Sequence, residues 1–168
     1  YELNNCVSPE ENASVSVTDQ PLISVSDVGI CIGETISITA VPSVFGGLFS
    51  WMPGDYNTET ITITPTSTMD YLVNYDLNGC FAETQTITVT VDTVPEVTFD
   101  VNATSGCSPM NVVFTNTTDN SFDCIWDIDG LTSVNECSGF SFTFWDEGCY
   151  DITLSMGTPN GCTASTTM

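Results

Sequence analysis

Carboxylates and cysteines are nearly all the chemistry this sequence offers: 22 Asp and Glu and eight Cys among 168 residues, with no Lys, Arg or His anywhere. Without an imidazole or an amine there is no ordinary general base, no Schiff base and no partner to activate a nucleophilic Ser or Cys. Without Arg or Lys there is no phosphate clamp and no surface to attract a nucleic acid. Paired carboxylates can hydrolyse a glycosidic bond, but their acid is recognised by its pocket, which a sequence does not display. The expectation is a chain that is not an enzyme and carries no resident cofactor.

The eight cysteines form no Cys-x-x-Cys pair and have no His beside them, so disulfides are the better reading than zinc, with buried free thiols as the alternative. Disulfides imply an oxidising compartment outside the cytosol. The acids have only water, metal cations and backbone amides as partners. Asp127-x-Asp129-Gly130 is the nearest approach to a calcium loop, although an EF-hand needs a third ligand before its Gly and a later Glu. Loosely held Ca2+ is still favoured by so many like charges within a Debye length of roughly 8–10 Å of one another.

The elements that must position these groups are strands. Period-two runs occur at LISVSDV (22–28), TISITA (35–40), TITIT (60–64), YLVNY (71–75), TITVTV (86–91), VTFDV (97–101), NVVFTN (111–116), FSFTF (140–144) and YDITLSM (150–156). Gly, Pro and Asn punctuate them, and no window supports a helix. With hydrophobic residues at 41%, the chain can build a core despite its self-repulsion, and no apolar run approaches the roughly 18 residues of a membrane span.

One hexamer occurs almost twice, as YELNNC at 1–6 and YDLNGC at 75–80, and an alternating run follows each: ASVSVTD (13–19) and TITVTVD (86–92), with a one-residue length difference. Such self-similarity indicates a repeat architecture. The division expected is a set of terminal strands at 1–19 from an incomplete upstream module, a β-sandwich at 20–93 and another at 94–168, cut from a longer array. Asn78-Gly79 reads as a hairpin turn, and Asn160-Gly161-Cys162 repeats it.

The module at 20–93, with CIGETISITA, FSWMPG, TITITPTSTMDYLVNY and NGC, resembles the immunoglobulin-like repeats of large surface proteins secreted by Bacteroidota through the type 9 system. The module at 94–168, with SGCSPMNVVFTNTT, CIWDIDG, EGCYDITL and NGC, resembles the polycystic-kidney-disease (PKD) domain in its cysteine-rich form. PKD domains usually carry Trp-Asp-Phe-Gly-Asp-Gly, and Trp126-Asp127-Ile128-Asp129-Gly130 is one Gly short of it. The whole chain is similar to segments of giant, acidic gliding-motility adhesins of the SprB type. The resemblance implies an all-β fold of tandem Ig-like and PKD-like antiparallel sandwiches in an elongated array. It further implies a cell-surface location attached at the outer membrane and partners that are neighbouring modules of one long chain. Surface polysaccharide or substratum would be engaged by other parts of the protein, with no nucleic acid and no membrane insertion.

Trp51 and Trp126 then fall in short third strands, where a large ring packs between sheets; a sugar-stacking platform is the alternative. Trp145 sits at a strand end. Tyr71 and Tyr150 open the next-to-last strands, suited to a corner hydrogen bond. Asp92-Thr93-Val94 matches the Asp-Ser/Thr-apolar pattern of O-glycosylation in the resembling bacterial group, which marks Thr93. The Asn-x-Ser/Thr sequences at Asn12, Asn102 and Asn116 are expected by chance in so Thr-rich a chain.

In a sandwich of this kind Cys31 and Cys80 lie at opposite ends of a strand, over 20 Å apart, too far to bond. The pairing expected is Cys107–Cys149 and Cys124–Cys137 within the last module and Cys31–Cys162 between modules, with Cys6 and Cys80 bonded upstream. Two functional classes remain: a structural stalk segment of a surface adhesin or filament, serving gliding or attachment, or an accessory spacer or glycan-binding module of a secreted polysaccharide-degrading enzyme. Direct repetition and the missing basic residues favour the first.

Overall fold

The structure is a computed structural model that describes residues 2–3, 6–7, 13–94, 96–118 and 123–168, the first four through their backbone alone. All regular structure among them is strand. In chain order the strands are β1 (Glu2–Leu3), β2 (Cys6–Val7), β3 (Ile23–Ser24), β4 (Val28–Cys31), β5 (Ile36–Thr39), β6 (Val41–Pro42), β7 (Leu48–Met52), β8 (Thr60–Ile63) and β9 (Met69–Leu77). They continue with β10 (Cys80–Phe81), β11 (Gln85–Asp92), β12 (Phe99–Val101), β13 (Met110–Asn116), β14 (Asp123–Ile128), β15 (Thr132–Val134), β16 (Gly139–Phe144), β17 (Ile152–Gly157) and β18 (Thr163–Thr167).

Two hydrophobic cores share no residue: one draws on Ile23 to Val91, the other on Val97 to Ala164. In the first sandwich β7, β9, β11 and β4 make one sheet and β5 with β8 faces it. In the second, β15-β14-β17-β18 faces β12-β13-β16. Alternation does the sorting, since every second residue of β9 (Tyr71, Val73, Tyr75) and of β17 (Ile152, Leu154, Met156) points into a core and the residues between them face out.

One tryptophan centres each core, fully buried. Trp51 stands opposite Val73 and donates its indole N–H to Thr58 O (2.9 Å); Trp126 stands opposite Leu154 and donates to Glu136 O (2.9 Å). Phe99, Phe114 and Phe140 surround Trp126 with ring centroids 5.0, 5.9 and 5.4 Å away. Both rings are core devices, and neither can serve as a sugar platform.

The run at 22–28 is not one strand. It breaks at 25–27, so β3 pairs antiparallel with β6 in one layer while β4 crosses over and pairs parallel with β11, Val28 opposite Val89 and Ile30 opposite Val91. A switch between layers needs a kink, and period-two alternation alone does not reveal one.

With no cation available, outward polar pairs are made by hydroxyls. Thr35–Thr64, Ser37–Thr62 and Thr39–Thr60 form a ladder at 2.8, 2.9 and 2.8 Å across β5 and β8, and Thr153–Thr167 repeats it at 2.8 Å in the second sandwich. Carboxylates take backbone amides: Cys31 N–H donates to Glu34 (2.8 Å), Thr88 N–H to Asp27 (2.8 Å) and Gly79 N–H to Asp76 (2.7 Å).

The repeated hexamer repeats its structure. Leu3 pairs with Cys6 in β1–β2 as Leu77 pairs with Cys80 in β9–β10. Carried on from the hexamer, an offset of 74 residues sets Val15 and Val17 against Val89 and Val91, whereas matching Asp19 to Asp92 takes the one-residue length difference.

Candidate functional site

The residues that could act together lie where the two sandwiches meet. β4 and β11 run side by side to a common end, Cys31 opposite Asp92, and present that edge to the turn between β17 and β18. The turn is tight: Gly161 N–H donates to Thr158 O (2.9 Å), Gly161 takes a φ of 83°, and Thr158 N–H donates to Cys162 O (2.8 Å). The buried Thr158 hydroxyl also accepts the Cys162 N–H (3.2 Å), which fixes the backbone that carries the Cys162 sulfur. Cys31 and Cys162 are disulfide-bonded with Cα atoms 5.6 Å apart and 131 residues of separation.

Two further contacts seat the turn. Asn160 N–H donates to an Asp92 carboxylate oxygen (3.4 Å), and the Asn160 side chain lies against Gly29, where an added Cβ would come within 2.1 Å of its Oδ1. Gly29 is thus the place where one sandwich's backbone is approached by the other. Sequence reasoning marked Asp92 for a glycosylation pattern and Asn160 for a turn, neither for this junction, and it did not mark Gly29. Their signal was positional: each flanks a cysteine or a strand end already marked.

Cys124 and Cys137 are bonded, with Cα atoms 5.5 Å apart and 13 residues of separation. The bond ties β14 to the segment that receives the Trp126 indole N–H. Cys107 and Cys149, expected to bond each other, are both free and exposed. Their loops do adjoin, Ser108 Oγ donating to Trp145 O, but an open cleft lies between them, bordered by Gly106 and Ser108 on one side and Gly148 and Cys149 on the other. Cys80 is also free and lies 3.4 Å from the Thr18 hydroxyl.

Asp127 and Asp129 do not make a calcium cage. Asp127 accepts the Gly130 N–H (3.2 Å), and Asp129 and Gly130 take φ of 48° and 67°, closing a turn with Leu131 N–H donating to Ile128 O (2.7 Å). Among the described residues no group of three or more Asp, Glu or Cys is placed to hold a metal ion. The missing Gly of the PKD-type signature is accommodated here, since the turn needs only two residues at positive φ.

The corner hydrogen bond of the first sandwich belongs to Tyr75 and not Tyr71. Tyr75 O–H donates to Val44 O (2.6 Å) and accepts Gly47 N–H (2.8 Å). Tyr71 is buried in the core, and burial, with the Tyr56 phenol nearby, pushes its hydroxyl pKa up. In the second sandwich Tyr150 does make the bond, donating to Asp146 O (3.0 Å). The Tyr shared by both copies of the hexamer was the available signal for Tyr75. Thr93 is exposed beside Asp92. Asn116 spends its amide on Cys137 O (3.0 Å) and Thr118 N–H (2.9 Å), Asn102 accepts Val113 N–H (2.9 Å), and Asn12 lies outside the described residues.

No family model matches the chain, and no curated protein matches it either. Among solved structures it is similar to the N-terminal four Ig domains of Dscam1 isoform 1.9, with 9% identity, a TM-score of 0.36 and 84% of this chain covered. It is also similar to the tandem Ig repeats of Dlar, with 12% identity, a TM-score of 0.35 and coverage of 89% of this chain and 95% of the other. The chain spans 42% of the length of the Dscam1 segment.

Proposed function

We propose that this chain is a load-bearing segment of an extracellular bacterial surface protein, built of serial β-sandwich modules and serving attachment or gliding. The observation that carries the reading is the Cys31–Cys162 bond, because a covalent tie between consecutive modules has mechanical value and no catalytic one. A pull on the two ends of the chain passes from residue 31 to residue 162 through sulfur, so β5 to β17 lie outside the path and only β3, β4 and β18 of the two sandwiches lie on it. Two disulfides suit an oxidising, extracytoplasmic setting. The hydroxyl-clad faces and the net charge of −22 suit a spacer that stays soluble and does not stick to its own kind.

The test is an antibody raised against residues 20–168 and applied to intact cells and to their lysate. Surface labelling together with a band of several hundred kilodaltons supports the stalk reading. A band below about 100 kDa that fractionates with polysaccharide-degrading activity in the culture fluid contradicts it and returns the chain to the accessory-module class.

A further inference from the structure

Two turns of this chain carry the dipeptide Asn-Gly, at 78–79 and 160–161, and both run straight into a cysteine. Asn-Gly is the sequence in which an asparagine most readily modifies itself, because glycine has no side chain to keep its amide nitrogen away from the neighbouring carboxamide. The glycine nitrogen attacks the Asn Cγ and gives its proton to water, the Cγ–Nδ2 bond breaks and ammonia leaves. Water then opens the resulting cyclic imide at either carbonyl. One opening yields Asp; the other yields an isoaspartate, whose main chain runs through Cβ and Cγ and is one carbon longer. Water is the only co-reactant, and nothing is oxidised or reduced.

The two turns differ in what holds the attacking nitrogen. Both glycines have open space around them, an added Cβ meeting nothing within 4 Å. Gly79 N–H donates to the Asp76 carboxylate at 2.7 Å, and a negative acceptor keeps the proton on the nitrogen. Gly161 N–H donates to a neutral carbonyl, Thr158 O, at 2.9 Å, a bond roughly half as strong as a charge-assisted one. Asn160 is exposed to water, and among the described residues its carboxamide makes no hydrogen bond; it rests on the bare backbone of Gly29.

The consequences differ as well. Asn78 is exposed at the tip of the β9–β10 hairpin, where a new carboxylate meets solvent. Asn160 stands in the junction, its N–H on the Asp92 carboxylate, with Glu34 on the Cys31 N–H at the same edge. A carboxylate at 160 adds like charge where the chain has no Lys, Arg or His to offset it. The extra carbon of an isoaspartate enters the tight turn just before Cys162.

We propose that Asn160 is a self-modification site, and that its conversion to Asp or isoaspartate unseats the β17–β18 turn from the β4–β11 edge. The two sandwiches are then held by the Cys31–Cys162 bond and the linker, without the contacts of Asn160. Lost ammonia does not return, so the junction passes one way, from stiff to compliant, as the molecule ages. The inference stands on the turn and its surroundings and on no role at a cell surface, so it and the load-bearing reading can fail separately.

The test is incubation of the full, oxidised chain at pH 8.5 and 37 °C, followed by chymotryptic peptide mapping and solution scattering. A gain of one mass unit is expected about fivefold faster at Asn160 than at Asn78. Asp76→Asn should narrow that gap by speeding Asn78 alone. The aged wild type and fresh Asn160→Asp should both show a wider distribution of inter-sandwich distances than fresh wild type. For Asn160→Asp, 0.5 M NaCl should narrow it again by screening the added charge. Asn160→Ser, which has no carboxamide to lose, should keep its scattering profile through the same incubation. Modification of Asn78 ahead of Asn160, or an Asn160→Asp chain with the inter-sandwich distances of fresh wild type, would overturn the proposal.

Discussion

Replacing Cys31 and Cys162 together by Ala should weaken both sandwiches, although each sandwich loses only one cysteine. With the first sandwich folded, Cys31 is held beside Asp92, so the loop its bond closes when the second unfolds runs from Asp92 to Cys162, about 70 residues. Chain entropy assigns a loop of that length roughly 4 kcal/mol. Unfolding the first sandwich while the second stays folded closes a loop of similar length, so the loss is of similar size. Cys124–Cys137 has only 13 residues of separation and lies wholly within the second sandwich; the same relation gives roughly 3 kcal/mol there and nothing in the first. The two double variants therefore differ in pattern more than in size. For units of this length ~4 kcal/mol lowers Tm by roughly 15–30 °C. Hydrogen exchange read by mass spectrometry on separate peptides assigns the loss to each sandwich. Protection lost in β9 and β11 as well as in β14 and β17 is the expected result for Cys31→Ala, Cys162→Ala. A loss confined to the second sandwich, or one under about 1 kcal/mol in both, would refute the reasoning.

Four other outcomes follow from the same contacts. Tyr75→Phe strips a hydroxyl from both Val44 O and Gly47 N–H and should cost the first sandwich about 1–3 kcal/mol in urea unfolding, leaving the second unchanged. Tyr71→Phe should be nearly neutral at pH 7 but flatten the alkaline limb: the raised folded pKa means that stability is intact below the ordinary tyrosine value near 10 and is lost as pH climbs through it, and the variant lacks that loss. Raising NaCl from 10 mM to 0.5 M should raise Tm steadily, since there are 22 like charges to screen and no Lys or Arg ion pair to weaken; a fall in Tm would contradict this. Gly29→Val should loosen the junction without disturbing either core, seen as a wider distribution of inter-sandwich distances in solution scattering, because its side chain meets Asn160.

Legibility in the sequence followed burial. Every long alternating run except the one at 22–28 became a strand within a few residues, as at TISITA for β5 and YLVNY for β9, because one buried face imposes a strict period of two. β7 and β14 were found only through their tryptophans, and β6 and β15 not at all, since strands of two or three residues leave no period to read. The antiparallel expectation missed the β4–β11 pairing because parallel placement there is a property of the kink at 25–27 and not of any residue type. Ends and turns were legible where Asn-Gly or a cysteine marked them: strand length excluded Cys31–Cys80, and Cys162, left over at the near end of the last module, was then paired with Cys31. Cys107 and Cys149 were assigned by placing both at the same end of the sandwich, and a shared end does not reveal that a cleft separates the loops that carry them. Hydrogen bonds to main chain, such as those of Asp92 and Tyr75, depend on which N–H or carbonyl a fold brings near, and composition carries no record of it.

The claim that the bridge between sandwiches carries load is tested most directly by stretching a single oxidised molecule from its two ends. Only residues 1–31 and 162–168 lie outside the Cys31–Cys162 bond, roughly 140 Å of extended chain against roughly 600 Å for all 168 residues. The account predicts that the oxidised chain lengthens by no more than the smaller figure at forces that unfold ordinary sandwiches, and that reductant restores the larger one. Two full unfolding events of about 250 Å each in the oxidised molecule would contradict it.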